Sequence, residues 1–170
     1  MGVNDVLEKD LNLQIAQKVK RHLEETGVSV VMTREDDYTP DKKMEDMQRR
    51  VTLINDTNPR VAISIHQNSY TDSSVKGAQV FYHTGSKEGE AFALLMQEEL
   101  RAIDKNNQRQ IKGDNAYYML KQTQVPTIIV ECGFLSNYEE AEKLTQDAYQ
   151  EAVAQAICSG IIKWLDKSTE

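Results

Sequence analysis

Cysteine is scarce in this chain, long apolar runs are missing, and positive charge is in deficit. Each shortage excludes something. The two cysteines, Cys132 and Cys158, show no C-x-x-C spacing and are too few for a disulfide framework. They read as small buried apolar residues and leave the redox compartment open. No apolar run approaches the about 20 residues of a membrane span. The first residues lack the basic segment and apolar stretch of a secretory leader, so the chain as written is expected to be soluble and to carry no address. Lys and Arg number 20 against 27 Asp and Glu, a formal net charge of -7, and no basic cluster interrupts that balance. A general nucleic-acid binder is therefore not expected, because displacing counterions from phosphates takes clustered Lys and Arg.

What is present is enough for one core. A chain of 170 residues with 39% hydrophobic content makes a single domain, and no internal repeat, low-complexity tract or linker divides it. Leu7, Leu11, Ile15, Val19 and Leu23 recur at helical spacing and predict an amphipathic helix ending near Gly27. The β-branched run Val28 to Thr33 predicts a strand, followed by a polar loop from Arg34 to Lys43. Helical spacing returns from Met44 to Asp56 and cannot pass Pro59. Arg60 to Asn68 alternates and closes on His66, and Ala78 to His83 predicts a further strand. A helix follows with Phe92, Leu95, Met96, Leu100 and Ile103 on one face. The polar stretch Lys105 to Asn115 is long enough for a functional loop, and Ala116 to Lys121 predicts a fourth strand. Ser136 and Glu139 have capping-box spacing and open a short helix. The last helix runs from about Ala148 to Leu165. Strands alternating with helices predict an α/β domain with a mostly parallel mixed sheet of about five strands.

The stretch Val125 to Asn137, V-P-T-I-I-V-E-C-G-F-L-S-N, holds the sharpest chemical signal. Its apolar segment predicts a strand buried on both faces, with Glu131 at the carboxyl end, where ligands bind in open α/β sheets. Carboxylates are rarely placed against a core without a partner. His66 ends another apolar strand, so in a parallel arrangement both side chains reach one edge of the sheet. Glu8 lies in the first turn of the first helix. One imidazole and two carboxylates that converge could hold a divalent metal, with a carboxylate free to act as base toward a bound water.

Plainer readings exist for each. Glu8 follows Asp5 at capping-box spacing and could cap its helix. His66 could be a core histidine bonded to backbone. His22 and His83 read as surface or structural residues, and the acidic patches Glu35 to Asp37 and Glu139 to Glu142 as solvated faces.

Four segments, L-E-K-D-L-N-L at Leu7, V-V-M-T-R at Val30, I-S-I-H-Q-N-S at Ile63 and the Val125 stretch, resemble the signature segments of the zinc-dependent N-acetylmuramoyl-L-alanine amidase catalytic domain, the amidase_3 family. They stand in the same order at comparable spacing. Arg50 followed by Asn55, and Gly77 before the third strand, add to the match, which covers essentially the whole chain and looks most like the bacterial spore-cortex type.

The resemblance implies that Glu8 and His66 are zinc ligands and that Glu131 is the general base. It implies hydrolysis of the amide between N-acetylmuramic acid and L-alanine of the peptidoglycan stem peptide. Asn68, Arg109 and Lys112 become candidate contacts to the glycopeptide. A cell-wall or spore-cortex location and a regulatory protein partner are expected on the same ground.

One departure from the family pattern matters. The family opens on a strand and a G-H-G-G turn whose histidine is a further zinc ligand, whereas only six residues precede Leu7 here. The resemblance therefore implies an N-terminally truncated amidase domain over residues 1–170, lacking the first strand, with weakened zinc binding and uncertain activity. Full activity would call for a substitute ligand, His22 or His83. The alternatives are a catalytically impaired module that binds peptidoglycan or a partner and regulates wall enzymes, and a different zinc-dependent amide hydrolase on a related scaffold.

Overall fold

The computed structural model describes residues 2–37 and 42–167; residues 38–41 of the predicted polar loop lie outside them. After a single 3-10 turn, Val3–Asp5, the order is α1 (Glu8–Glu25), α2 (Lys43–Thr57), β1 (Ala62–Asn68), β2 (Gln79–Tyr82), α3 (Lys87–Ile103), β3 (Lys112–Gly113), α4 (Tyr118–Gln122), β4 (Thr127–Phe134), α5 (Tyr138–Thr145) and α6 (Asp147–Lys167).

Among the described residues the four strands form one mixed sheet in the order β1-β4-β2-β3. β1 and β4 are parallel, β2 and β3 are parallel, and β2 runs antiparallel to β4. The sheet alternates its side chains between two unlike faces. Ile128, Val130 and Cys132 of β4, with Val80 of β2, pack against α1, α3 and α6 in the main core. That core takes Leu11, Ile15, Val19 and Leu23 from α1, Phe92, Met96 and Leu100 from α3, and Val153, Ile157 and Ile161 from α6, each worth about 1.5–3 kcal/mol of burial. On the opposite face Ile129, Phe81 and Leu120 form a much smaller cluster with Tyr117. The helices thus crowd one side of the sheet and leave the other only partly covered.

Local chemistry ends the elements where expected. α1 stops before Gly27, whose φ of +85° suits a residue without Cβ. Both cysteines are buried. α5 is capped by Asn137, whose side chain accepts from the Glu140 N–H, and not by Ser136. Ser136 Oγ instead accepts from the Tyr70 N–H at 3.0 Å, tying the loop after β4 to the loop after β1.

Other expectations are corrected. Val28 to Thr33 forms no ladder with any described strand, although Val28 and Val30 pack against the core; β-propensity without a neighbouring strand gives extended chain only. Ala116 to Lys121 is not a strand, because its centre coils into α4 and drops Met119 and Leu120 into the interior. β3 lies instead inside the predicted loop Lys105 to Asn115, beside β2. Ile103, at the end of α3, is 36% exposed and not part of the inner face.

Candidate functional site

Parallel pairing of β1 and β4 brings their carboxyl ends side by side, with His66 directly opposite Glu131. Paired residues project from the same face, here the sparsely covered one. The register then slips between His66 and Asn68, a β-bulge of the kind that re-aims side chains beside active sites. β4 does not stop at Glu131 but continues to Phe134.

Glu8 reaches this point from the first residue of α1. It does not cap that helix; the cap position is Leu7, with no side-chain cap bond. Glu8 Oε1 instead meets His66 Nδ1 at 2.8 Å and accepts from Asn12 Nδ2 at 3.2 Å and the Gln67 N–H at 3.3 Å. Gln67, buried at 5% exposure, donates through Nε2 to Asn12 Oδ1 at 3.2 Å, so the pair rests on a second layer of polar contacts.

The two carboxylates are driven apart electrostatically. Burial works against ionised Glu8, but the hydrogen bond and charge of His66, with Asn12 and Gln67, outweigh it and carry the group down to about 2. Glu131 is 6% exposed and its Oε2 is buried with no hydrogen-bond partner among the described residues. Burial, the largest influence, raises it to about 7; the His66 charge opposes this and the Glu8 charge adds to it. One acid is held ionised while its neighbour is poised near neutrality, the division of labour that acid–base chemistry uses.

The remaining expected residues are distributed as follows. Asn68 closes β1, where its Oδ1 accepts from the Ser69 N–H at 2.8 Å and its carbonyl accepts from the Leu135 N–H at 2.8 Å. Arg109 sets its guanidinium carbon 4.9 Å from the centroid of the Phe134 ring and donates through Nε to the Lys76 carbonyl at 3.1 Å. Lys112 on β3 pairs with Phe81, and its Nζ lies 5.7 Å from that ring's centroid. His22 is engaged by Glu151 of α6 and Glu25, away from the β1 and β4 ends. His83 follows the last residue of β2, and β2 runs antiparallel to β4, so it lies at the opposite end of the strands, by the start of β4. Neither histidine joins Glu8 and His66.

Residue spacing alone did not reveal Asn12, Gln67, Gln79 or Tyr117. Asn12 lies four residues beyond Glu8, one helical turn on, and that spacing is the one signal that points to it. Tyr117 packs edge-on against Phe81 at 5.4 Å, and burial followed by the charges of Glu131 and Asp114 pushes its phenol up.

A family model described as N-acetylmuramoyl-L-alanine amidase matches residues 1–163. The chain belongs to this family. It is 38% identical over 168 residues to the germination-specific N-acetylmuramoyl-L-alanine amidase of Bacillus subtilis strain 168, spanning 94% of this chain and 71% of that protein. Among solved structures, the CwlD amidase of Clostridioides difficile in complex with the GerS lipoprotein superposes with a TM-score of 0.92 at 36% identity, over 96% of this chain and 88% of that one. The catalytic domain of the amidase CwlV from Bacillus (Paenibacillus) polymyxa var. colistinus gives 0.87 at 30% identity, over 97% and 89%. The α/β architecture and the peptidoglycan-amidase character expected from the signature segments agree with these relatives.

Proposed function

We propose that this chain hydrolyses the amide between the lactyl group of N-acetylmuramic acid and L-alanine of the stem peptide, with Glu131 as general base and with Glu8 and His66 as ligands to a zinc ion. The observation that carries the reading is the pairing of His66 with a buried Glu131, whose Oε2 has no hydrogen-bond partner among the described residues, beside the Glu8–His66 contact. The donor set fits zinc in kind: an imidazole nitrogen and a carboxylate oxygen converge, and an orphaned carboxylate oxygen stands next to them. It is short in number, since the described residues contain no group of three His, Cys, Asp or Glu side chains arranged to hold a metal. Two protein ligands bind more weakly than three, and the ion would take the place of the hydrogen bond now joining His66 Nδ1 and Glu8 Oε1. Zinc in such a site polarises a carbonyl and acidifies water.

The chain's own groups supply the rest. Glu131 takes a proton from the attacking water and delivers it to the departing amine. Asn12 and the Gln67 N–H hold the Glu8 carboxylate in place. Asn68, Arg109 and Lys112 are proposed to contact the glycopeptide, and the likeness to a germination-specific enzyme favours spore-cortex peptidoglycan. By the same likeness the chain acts outside the cytoplasm, and a relative whose structure is in complex with a lipoprotein supports a protein partner.

The test is release of stem peptide from purified peptidoglycan with zinc supplied, for the unaltered chain and for Glu131→Gln. Loss of release in the variant supports the reading. Tight peptidoglycan binding without hydrolysis or zinc uptake favours the rival, a regulatory wall-binding module, which the two-donor set also fits.

A further inference from the structure

We propose that Gln79 is a substrate-positioning residue: the stem peptide crosses the open sheet face over β2 toward β3, hydrogen-bonded through its backbone to the Gln79 carboxamide. This deepens the amidase reading and rests on it.

The register carries the argument. Glu131 pairs with His66 on one side and with Gln79 on the other, so three polar side chains stand in one row across β1, β4 and β2, with strands about 4.8 Å apart. The next row on the same face has an apolar centre: between Ser64 of β1 and Lys112 of β3, Ile129 pairs with Phe81, and these two are 2% and 5% exposed. The polar row therefore marks the boundary between the apolar floor and the open end of the site.

Gln79 is also pre-set. Its Nε2 donates to the Gln110 carbonyl at 2.8 Å, which fixes the plane of the amide. One N–H is used in that bond, leaving Oε1 and the second N–H, an acceptor and a donor for the N–H and C=O of one extended peptide residue, which point the same way in a strand.

The two flanks of Glu131 differ, and the difference orients the substrate. On the β1 side stands the Glu8–His66 pair. An amide held over Glu131 with its carbonyl oxygen toward that pair puts both its acyl carbon and its nitrogen on the far side, over β2, and the charge beyond β2 selects between them. One strand further, Lys112 is paired with Phe81 on this same face and adds positive charge. A stem peptide carries free carboxylates and the muramyl sugar, once amidated, carries none, so that charge favours the peptide.

The experiment is calorimetric titration of the full chain, metal-free, with muramyl dipeptide and separately with the simple amide of N-acetylmuramic acid, whose lactyl carboxyl is capped as it is in the substrate. Gln79→Met keeps the volume and removes both hydrogen-bonding groups. We expect it to weaken the dipeptide by about five- to tenfold, the scale of two lost hydrogen bonds at the low end of their net range, and to leave the sugar unchanged. Equal dipeptide affinity in the two proteins overturns the proposal. Because the substitution lies in a strand, a second measurement uses the unaltered chain: the Gln79 side-chain amide resonance shifts with dipeptide and not with sugar, and no shift overturns the proposal independently. Failure of the unaltered chain to bind the dipeptide sinks the amidase reading itself and this inference with it, whereas binding insensitive to Gln79 sinks only the inference.

Discussion

The Gly77 N–H donates to Glu140 Oε1 at 2.9 Å while the other carboxylate oxygen, Oε2, accepts from the Phe134 N–H at 2.7 Å. One buried side chain thus fastens the entry to β2 to the end of β4, the two segments that bring Gln79 and Glu131 into register. Glu140→Gln leaves one acceptor oxygen for two donors and turns an amide against the second. Urea unfolding should show a loss of about 2 kcal/mol; an unchanged midpoint would mean that the clamp contributes nothing.

Gly77 itself is constrained. Its φ is +102°, and an added Cβ would lie 2.7 Å from Asn107 Oδ1. That oxygen cannot move freely: it accepts from the Arg109 N–H, and the same amide donates to the Ala78 carbonyl. Gly77→Ala should destabilise by about 2 kcal/mol, combining left-handed backbone strain with the displaced amide. Thermal melting checks it, and a melting temperature equal to that of the parent would contradict the expectation.

Glu131 should cost stability as it ionises. Its pKa is raised from an ordinary 4.5 to about 7, so the unfolded chain releases this proton at lower pH than the folded one. The stabilising contribution is complete below about 4.5 and is lost as pH rises through about 7. Glu131→Gln carries no such loss. With a chelator present, its stability relative to the parent should grow between acid and pH 8 by on the order of 2–3 kcal/mol, while activity disappears. A pH-independent difference would refute the burial argument.

Asp46 should behave in the opposite sense. Burial at 8% exposure works against its charge, but Arg50 at 2.5 Å and Arg49 at 3.1 Å prevail and hold it below the usual carboxylate range. A lowered pKa adds stability above the unfolded value and loses it as pH falls through the folded one. Asp46→Asn should cost about 1–2 kcal/mol at neutral pH. The gap between the two proteins should close in strong acid, as denaturant titrations at several pH values would show.

Periodicity in the sequence was sufficient for α1, whose stripe is buried from Leu11 through Ile15 and Val19 to Leu23 while Leu7, at the cap, is 39% exposed, and for β1 and β4, where apolar runs lead to His66 and Glu131 although the strands themselves continue to Asn68 and Phe134. It determined these because a helix face and a strand's alternation are local patterns, and because a carboxylate closing an apolar strand conflicts with its surroundings. The family segments gave Glu8 its place beside His66, which spacing alone left open between a cap and a ligand. Tertiary structure decided the rest. The run Val28 to Thr33 has strand composition and no ladder, Tyr118–Gln122 coils where a strand was predicted, and β3 is two residues long inside a polar loop. A strand exists only with a partner at the right register, and no local pattern encodes which distant residues pair. The same holds for the row His66, Glu131, Gln79: its members come from three strands, and only the pairing puts them on one face of the sheet.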